Sequence, residues 1–316
     1  WKLRGSLKLP YGGGREIMKK VLSVIFCVVA LLLGSGVQAE YYTLVDLGTI
    51  SPRDINDNNL IVGASSFSWD AKPILWNKGF TTVLSECSGE AVAINKYGQA
   101  VGTIVENGSQ HGFLFVPGAA IFNIGGAMAT DINASGNVSG ANNGEAALWQ
   151  ISTGQWESLN AGIGSLATAL NDDNTVIGYD ADNGGGSFVS KDGVVSVFDQ
   201  NYQANDINNA GRIVEGITFD NSLRFTDAPY DFIQTKYSYG RFSETMKVND
   251  AGNSVGYFDT GFEGLHALIV EGEFMQDLNM LIDAGLGWKL SIARAMNNKG
   301  VIVGEGFNAA GELHGF

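Results

Sequence analysis

The chain has 316 residues, 33 of them acidic against 19 basic, which gives a formal net charge of −14, and it holds two cysteines. A field of that sign repels phosphate backbones and anionic membrane surfaces, so nucleic acid is excluded as an expected partner. Two cysteines allow at most one disulfide, so a chain of this length must stand on its apolar core.

Residues 1 to 17 precede the first methionine, and Gly12-Gly13-Gly14-Arg15-Glu16 are residues whose codons can be purine-rich. This stretch is expected to be untranslated upstream sequence read in frame. Residues 18 to 39 combine a basic start at Lys19 and Lys20, an apolar stretch from Val21 to Leu33, and small residues up to Val37-Gln38-Ala39. That order is a secretory signal peptide with cleavage after Ala39. The apolar stretch is shorter than the roughly 20 residues that cross a bilayer, so no membrane span is expected in the mature chain. Cleavage removes six basic residues and one acid, leaving 13 basic against 32 acidic and a formal charge of −19. Cys27 leaves with the leader and lacks the small preceding residues of a lipoprotein cysteine, while Cys87 remains alone.

From Asp54 onward one pattern recurs seven times: an apolar residue and Asn, a turn ending in Gly or Asn, and a short apolar run ending in Gly. The copies are DINDNNLIVG, AINKYGQAVG, DINASGNVSG, ALNDDNTVIG, DINNAGRIVEG, KVNDAGNSVG and AMNNKGVIVG. Their anchors, Asn56, Asn95, Asn133, Asn171, Asn208, Asn249 and Asn297, are spaced 39, 38, 38, 37, 41 and 48 residues apart. The first turn residue, Asn, can bond its own backbone two residues on. The fourth turn position is Asn59, Gly98, Gly136, Asn174, Gly211, Gly252 or Gly300, the residue types that best tolerate the left-handed backbone of a type I turn with a bulge. Each copy is therefore expected to open with a β-hairpin. The closing glycines, Gly63, Gly102, Gly140, Gly178, Gly216, Gly256 and Gly304, predict a strand end where another backbone approaches closely.

Two more strands follow each hairpin. The third is Pro73-Ile74-Leu75-Trp76, then HGFLF from His111, AALW from Ala146, SFV from Ser187, SLRF from Ser222, HALIV from His266 and HGF from His314. The fourth covers 80–84, 120–124, 155–159, 194–198, 230–233 and 274–278. Four strands of about five residues with their turns fill about 40 residues, the size of a propeller blade. The seventh copy lacks a fourth strand, and residues 41 to 47, YYTLVDL, resemble FMQDL from Phe274. The expected fold is an all-β, seven-bladed β-propeller over residues 40–316, with the N-terminal strand completing blade 7 and removing an open edge. A β-solenoid is the alternative, with rungs that are usually shorter and need no such exchange.

All three histidines occupy one phase of the repeat, which a scaffold role explains. No HExxH, CxxC or clustered His offers a metal site, and no cofactor is expected. Asp180, Asp182 and Gly184 echo the start of a calcium loop without its later ligands, and read better as an acidic turn. Asp54, Asp131 and Asp206 each lie two residues before a repeat Asn, on the same strand face, with Lys247 at the same phase. Convergence of the three in a central channel would supply a catalytic acid and base; alternatively each satisfies local backbone donors. Trp76 and Trp149 share a third-strand phase and read as interblade core. Trp288 belongs to a swollen closing segment around Leu281 to Trp288 and should be mostly buried, which leaves Trp69 as the candidate for sugar stacking. The loops after the second strand, 65–72, 105–110, 180–186 and 258–265, vary most and leave their blades on one face. Asp70, Glu106, Asp180, Asp182, Asp259 and Glu263 there predict a cationic or calcium-bridged ligand.

His111-Gly112-Phe113, His266-Ala267-Leu268 and His314-Gly315-Phe316, with the stretch Asp277 to Gly306 and VDLGTI from Val45, resemble the HAF-repeat family of bacterial extracellular proteins. The resemblance covers residues 41 to 316. It implies secretion and no established activity, and places the chain outside the cytoplasm of a Gram-negative bacterium, released, periplasmic or at the cell surface. Members often end in a C-terminal sorting segment; none is visible before Phe316, so a C-terminal truncation is expected. The expected function is a non-catalytic module that binds an extracellular glycan or protein through rim loops. The alternative is a glycan-processing enzyme built on Asp54, Asp131 and Asp206.

Overall fold

The computed structural model describes residues 42–180, 186–199, 202–216, 222–228, 233–237, 242–272 and 274–316. The upstream stretch, the leader and Asp182 lie outside these residues. Among them no helix is long and apolar enough to cross a membrane. The chain forms a seven-bladed β-propeller, and the solenoid alternative is set aside. The blades span residues 51–83, 88–125, 128–163, 165–199, 204–237, 243–277 and 289–315. Each is an antiparallel sheet in sequence order, four-stranded in blades 1 to 6 and three-stranded in blade 7.

The turn chemistry places the first hairpin of every blade. All seven predicted turn positions have positive φ, from 59° at Asn59 and Asn174 to 85° at Gly136. Asn56 N–H bonds Leu60 O while Asn59 N–H bonds Asn56 O, and the same pair of bonds recurs at each copy. One feature departs from expectation. The fixed glycines sit within or just after the short second strand, as Gly102 does in Ala100–Glu106, and most face a bulge in the first strand rather than a strand end. The bulged residues at this phase are Arg53, Val92, Thr130, Thr168, Asn205, Met246 and Arg294, one per blade, and blade 7 has a second bulge at Ser291. The extra residue pushes the first-strand carbonyl of Ser51, Glu90, Met128, Leu166, Glu244 or Ile292 into the space a Cβ would need at the opposing glycine. Gly216 is looser, with the nearest atom, Gln203 O, at 3.3 Å.

Blade faces are apolar and pack on their neighbours. Among the described residues seven core clusters form, one at each of the seven blade interfaces, including Ile55, Ile61, Ala295 and Val303 between blades 7 and 1. Trp149 is buried between blades 2 and 3, and Trp76 packs half-buried between blades 7 and 1, as their shared phase predicted. Trp288 is half-buried rather than mostly buried. It packs against the blade 6 to 7 core and meets the His314 ring edge-on at 6.2 Å, so the swollen segment serves packing.

The N-terminal segment closes the ring as an irregular strand. Leu47 N–H donates to Gly315 O at 2.9 Å and Gly315 N–H to Gly48 O at 2.8 Å. Residues 42–47 form no regular strand, because the third strand of blade 7, Leu313–Gly315, offers them a partner at Gly315 alone. Side chains complete the likeness. Asp46 Oδ1 lies 2.8 Å from His314 Nδ1 and accepts the Gly48 N–H, as Asp277 in blade 6 pairs with His266 at 2.7 Å and accepts the Asn279 N–H. His266 and His314 therefore tie third strands to fourth-strand segments, a scaffold role, whereas His111 approaches Glu106 of its own blade's second strand.

Candidate functional site

The first strands line a central channel, and the repeat Asn rings it. The Asn56 side-chain amide donates to Asn95 O, Asn95 to Asn133 O, and so on through Asn171, Asn208 and Asn249 to Asn297, which donates to Asn56 O. The seven bonds run from 2.8 to 3.4 Å, all seven side chains are buried, and the circle is complete. Each Oδ1 also accepts a backbone N–H of its own turn, such as Leu60 from Asn56 and Thr175 from Asn171. One residue type thus caps a hairpin and joins two blades, which no residue lacking both donor and acceptor could do.

A second ring forms at the channel mouth, one residue on. Backbone N–H groups of Ala134, Asp172, Asn209, Asp250 and Asn298 donate to the side chains of Asp172, Asn209, Asp250, Asn298 and Asp57. It is interrupted where Lys96 and Ala134 supply no acceptor.

Below the Asn ring, a cavity of about 340 Å³ reaches Asp54, Asp131, Asp206 and Lys247. The predicted convergence is present. Lys247 Nζ lies 3.1 Å from Asp206 Oδ1 and 3.9 Å from Asp131 Oδ1, so those oxygens are at most about 7 Å apart, the sum of the two distances. Each Asp also accepts a backbone N–H from the next blade: Asp54 from Ile94, Asp131 from Leu170, Asp206 from Val248. Blades 2, 4 and 7 place Ala93, Ala169 and Ala295 at this phase, and the small side chains of blades 2 and 4 let the preceding Asp lean across. Burial pushes the Asp54 and Asp206 carboxyls up to about 6, against the pull of Lys247. Lys247 is held protonated well above its ordinary value by the three carboxylates, which outweigh its own burial.

The described residues of the variable loops lie on the opposite face. Trp69 stands 93% exposed at the tip of the blade 1 loop. Its neighbours Ser66, Ser68 and Asp70 form a chain of hydrogen bonds, Ser66 Oγ to Ser68 Oγ at 2.7 Å and Ser68 Oγ to Asp70 Oδ1 at 2.6 Å. The remaining loop acids work locally. Glu106 lies 3.5 Å from His111 Nε2, Asp259 caps the Gly261 N–H at 2.9 Å, and Glu263 lies 3.4 Å from His266 Nε2. Asp180 ends a strand and its N–H bonds Gly186 O. Glu106, Asp180 and the pair Asp259 and Glu263 sit on separate blades, and among the described residues no group of three His, Cys, Asp or Glu side chains is arranged to hold a metal ion.

Sequence reasoning missed a cavity of about 500 Å³ on this face, lined by Arg53, Trp69, Glu90, Arg294 and Glu305. The signal was present at the position three residues before each repeat Asn. Thr130, Thr168 and Asn205 bond carbonyls of the next blade there, at Ala167, Ala204 and Thr245, whereas Arg53 and Arg294 break the pattern.

No protein-family model and no curated protein matches the sequence. Solved propellers do match the fold. The structure described as YCF48 bound to D1 peptide aligns with a TM-score of 0.55 at 12% identity, covering 88% of this chain and 96% of that one. Virginiamycin B lyase from Staphylococcus aureus aligns at 0.52 and 11% identity, covering 74% and 87%. A chain of the mitotic checkpoint complex aligns at 0.51 and 11%, covering 88% and 93%. At such identities the likeness establishes the propeller fold.

Proposed function

We propose that the chain is a secreted, non-catalytic propeller that binds an extracellular glycan or protein through the face carrying the second-to-third-strand loops. The carrying observation is the contrast between the two ends of the channel. The Asp cluster is committed to neighbouring-blade N–H groups and Lys247, while the loop face offers an exposed Trp69 beside an open cavity. Rigid scaffolds carry binding on such loops. The leader-like residues 18–39 and the likeness to HAF-repeat proteins support export, and one structural neighbour is described as bound to a peptide. A glycan array and a peptide array probed with purified protein test this reading. Binding that Trp69→Ala leaves intact would place the site elsewhere.

A glycan-processing reading is favoured by one observation: Asp131 and Asp206 oxygens share the Lys247 ammonium at no more than about 7 Å from each other, which does not exceed the span of paired glycosidase carboxylates, and burial raises the Asp206 carboxyl. Hydrolysis of a glycan panel that vanishes in Asp131→Asn and Asp206→Asn would establish it; no turnover by the parent protein would end it.

A further inference from the structure

We propose that the loop-face cavity between blades 7, 1 and 2 takes a carboxylated sugar, a uronate unit of a glycan, with Arg53 holding the carboxylate and Trp69 stacking on the ring. The inference rests on the binding role proposed above and adds the ligand class.

Arg53 and Arg294 occupy the strand position at which blades 3, 4 and 5 join the next blade through short polar side chains, while blades 2 and 6 place the apolar Val92 and Met246 there. Arg53 Nε donates to Glu90 Oε2 at 2.7 Å, which ties blade 1 to blade 2 and leaves the cavity electrically balanced. That tie uses one of the five guanidinium N–H groups. Among the described residues, Arg53 Nη1 and Nη2 bond no protein atom, and the side chain is 30% exposed at the cavity. Arg294 is similar: Nη2 pairs with Glu305, Nη1 meets only the Met246 sulfur at 3.9 Å, and Nε is buried without a protein partner. A scaffold role accounts for the Arg–Glu pairs and leaves these donors over. A guanidinium fork presents parallel N–H groups at the spacing of a carboxylate, which makes that group the fitting ligand.

The loop selects the rest of the ligand. An indole 93% exposed offers a flat apolar face to the C–H side of a pyranose, and the adjoining Ser66, Ser68 and Asp70 offer donors and acceptors to its hydroxyls. A peptide carboxylate would use the guanidinium but leave that hydroxyl-rich ridge unmatched. The net charge of −14 opposes a densely charged polyanion, so the site suits a chain with isolated acids.

The test titrates the purified full chain with an oligosaccharide carrying one uronate among neutral sugars and with the same oligosaccharide methyl-esterified, and with one peptide carrying a free or amidated C-terminus. The acid sugar should bind at least tenfold more tightly than its ester, with the difference shrinking as salt rises. Arg53→Gln should erase that difference. Arg53→Lys, which keeps the charge and a bond to Glu90, should lose most of it because the fork is gone. Trp69→Ala, at an exposed position without structural cost, should weaken both forms about tenfold. Equal binding of acid and ester would overturn the carboxylate assignment while leaving a Trp69-dependent binding role standing. Recognition of the peptide carboxylate in place of the sugar would overturn the ligand class. Binding of the acid sugar unchanged in both Arg53 variants would overturn the site.

Discussion

Lys247 is one side chain on which three blades depend. It sits where blades 1, 3 and 5 place Asp, and its ammonium reaches two of those carboxylates directly. The Asp54 and Asp206 carboxyls titrate near 6 in the folded protein against an ordinary 3.8, so the folded chain holds these protons more tightly than the unfolded one. Their contribution to stability is therefore full below about pH 4 and is lost as pH rises through about 6. Lys247 has the opposite chemistry and the same sign: raised above its ordinary value, it contributes below the Lys range and is lost far above neutrality. Replacing it, as Lys247→Met, removes the charge that offsets carboxylate burial. The expected loss is about 3 kcal/mol at pH 8 and less than half of that at pH 5, where the carboxyls take up protons instead. Urea midpoints at the two pH values measure this, and the separate raised carboxyl of Glu215 cancels between variant and parent. An equal loss at both would show that the Lys aliphatic stem, rather than its charge, matters there. The sequence displayed this cluster through phase alone, since side chains two residues before a fixed Asn share a face. It did not display the bonds from each Asp to the next blade, because those depend on an N–H about 40 residues away.

Within a blade, the first two strands are fitted by a bulge against a glycine. The seven glycines were legible as a demand for close approach, and their turn partners as a demand for positive φ. The bulge was not legible, because it is a mismatch in register between two strands and carries no residue type of its own: Arg, Val, Thr, Asn and Met all occupy it. The structure separates glycines that are required from one that is tolerant. Gly102→Ala would drive a methyl group into Glu90 O and the Ala91 Cα, and should cost about 3 kcal/mol or more. Gly216→Ala, facing Gln203 O at 3.3 Å, should cost about 1 kcal/mol or less. Thermal unfolding of the two variants decides the matter, and equal destabilisation would mean that backbone freedom rather than contact fixes these residues. The Arg residues of the loop-face cavity became visible at this scale, as long cationic side chains at a position that blades 3, 4 and 5 fill with short polar ones and blades 2 and 6 with apolar ones.

Across the molecule, the repeat count and the displaced fourth strand were enough to give the architecture, while the manner of closure was not. A regular strand was expected, and what joins the chain to blade 7 is a two-residue bridge reinforced by the Asp46 to His314 pair. Both residues were visible, Asp46 within a motif and His314 at a shared phase. Their pairing was not, since 268 residues separate them. Asp46→Ala removes the partner of His314 and the acceptor of the Gly48 N–H, and should lower stability by about 1 to 2 kcal/mol. Hydrogen exchange should rise first at Leu47 and Gly315, the amides of the bridge. Uniform exchange across all blades would indicate that the core between blades 7 and 1 closes the ring unaided.

The circle of Asn amides has a further property that follows from its direction. Every side chain donates to the blade that comes next in sequence, and Asn297 hands on to Asn56, so all seven N–H to O=C vectors turn the same way around the axis. Vectors arranged head to tail on a closed circle sum to zero. Unlike the aligned bonds at a helix end, these bonds have components in the plane of the ring that cancel around the circle. The channel therefore has a joint at its neck that ties every blade to both neighbours and adds no net dipole in the plane of the ring. The potential met by a solute entering there is left to Lys96 and the acids of the mouth, and to Lys247 and its three carboxylates below.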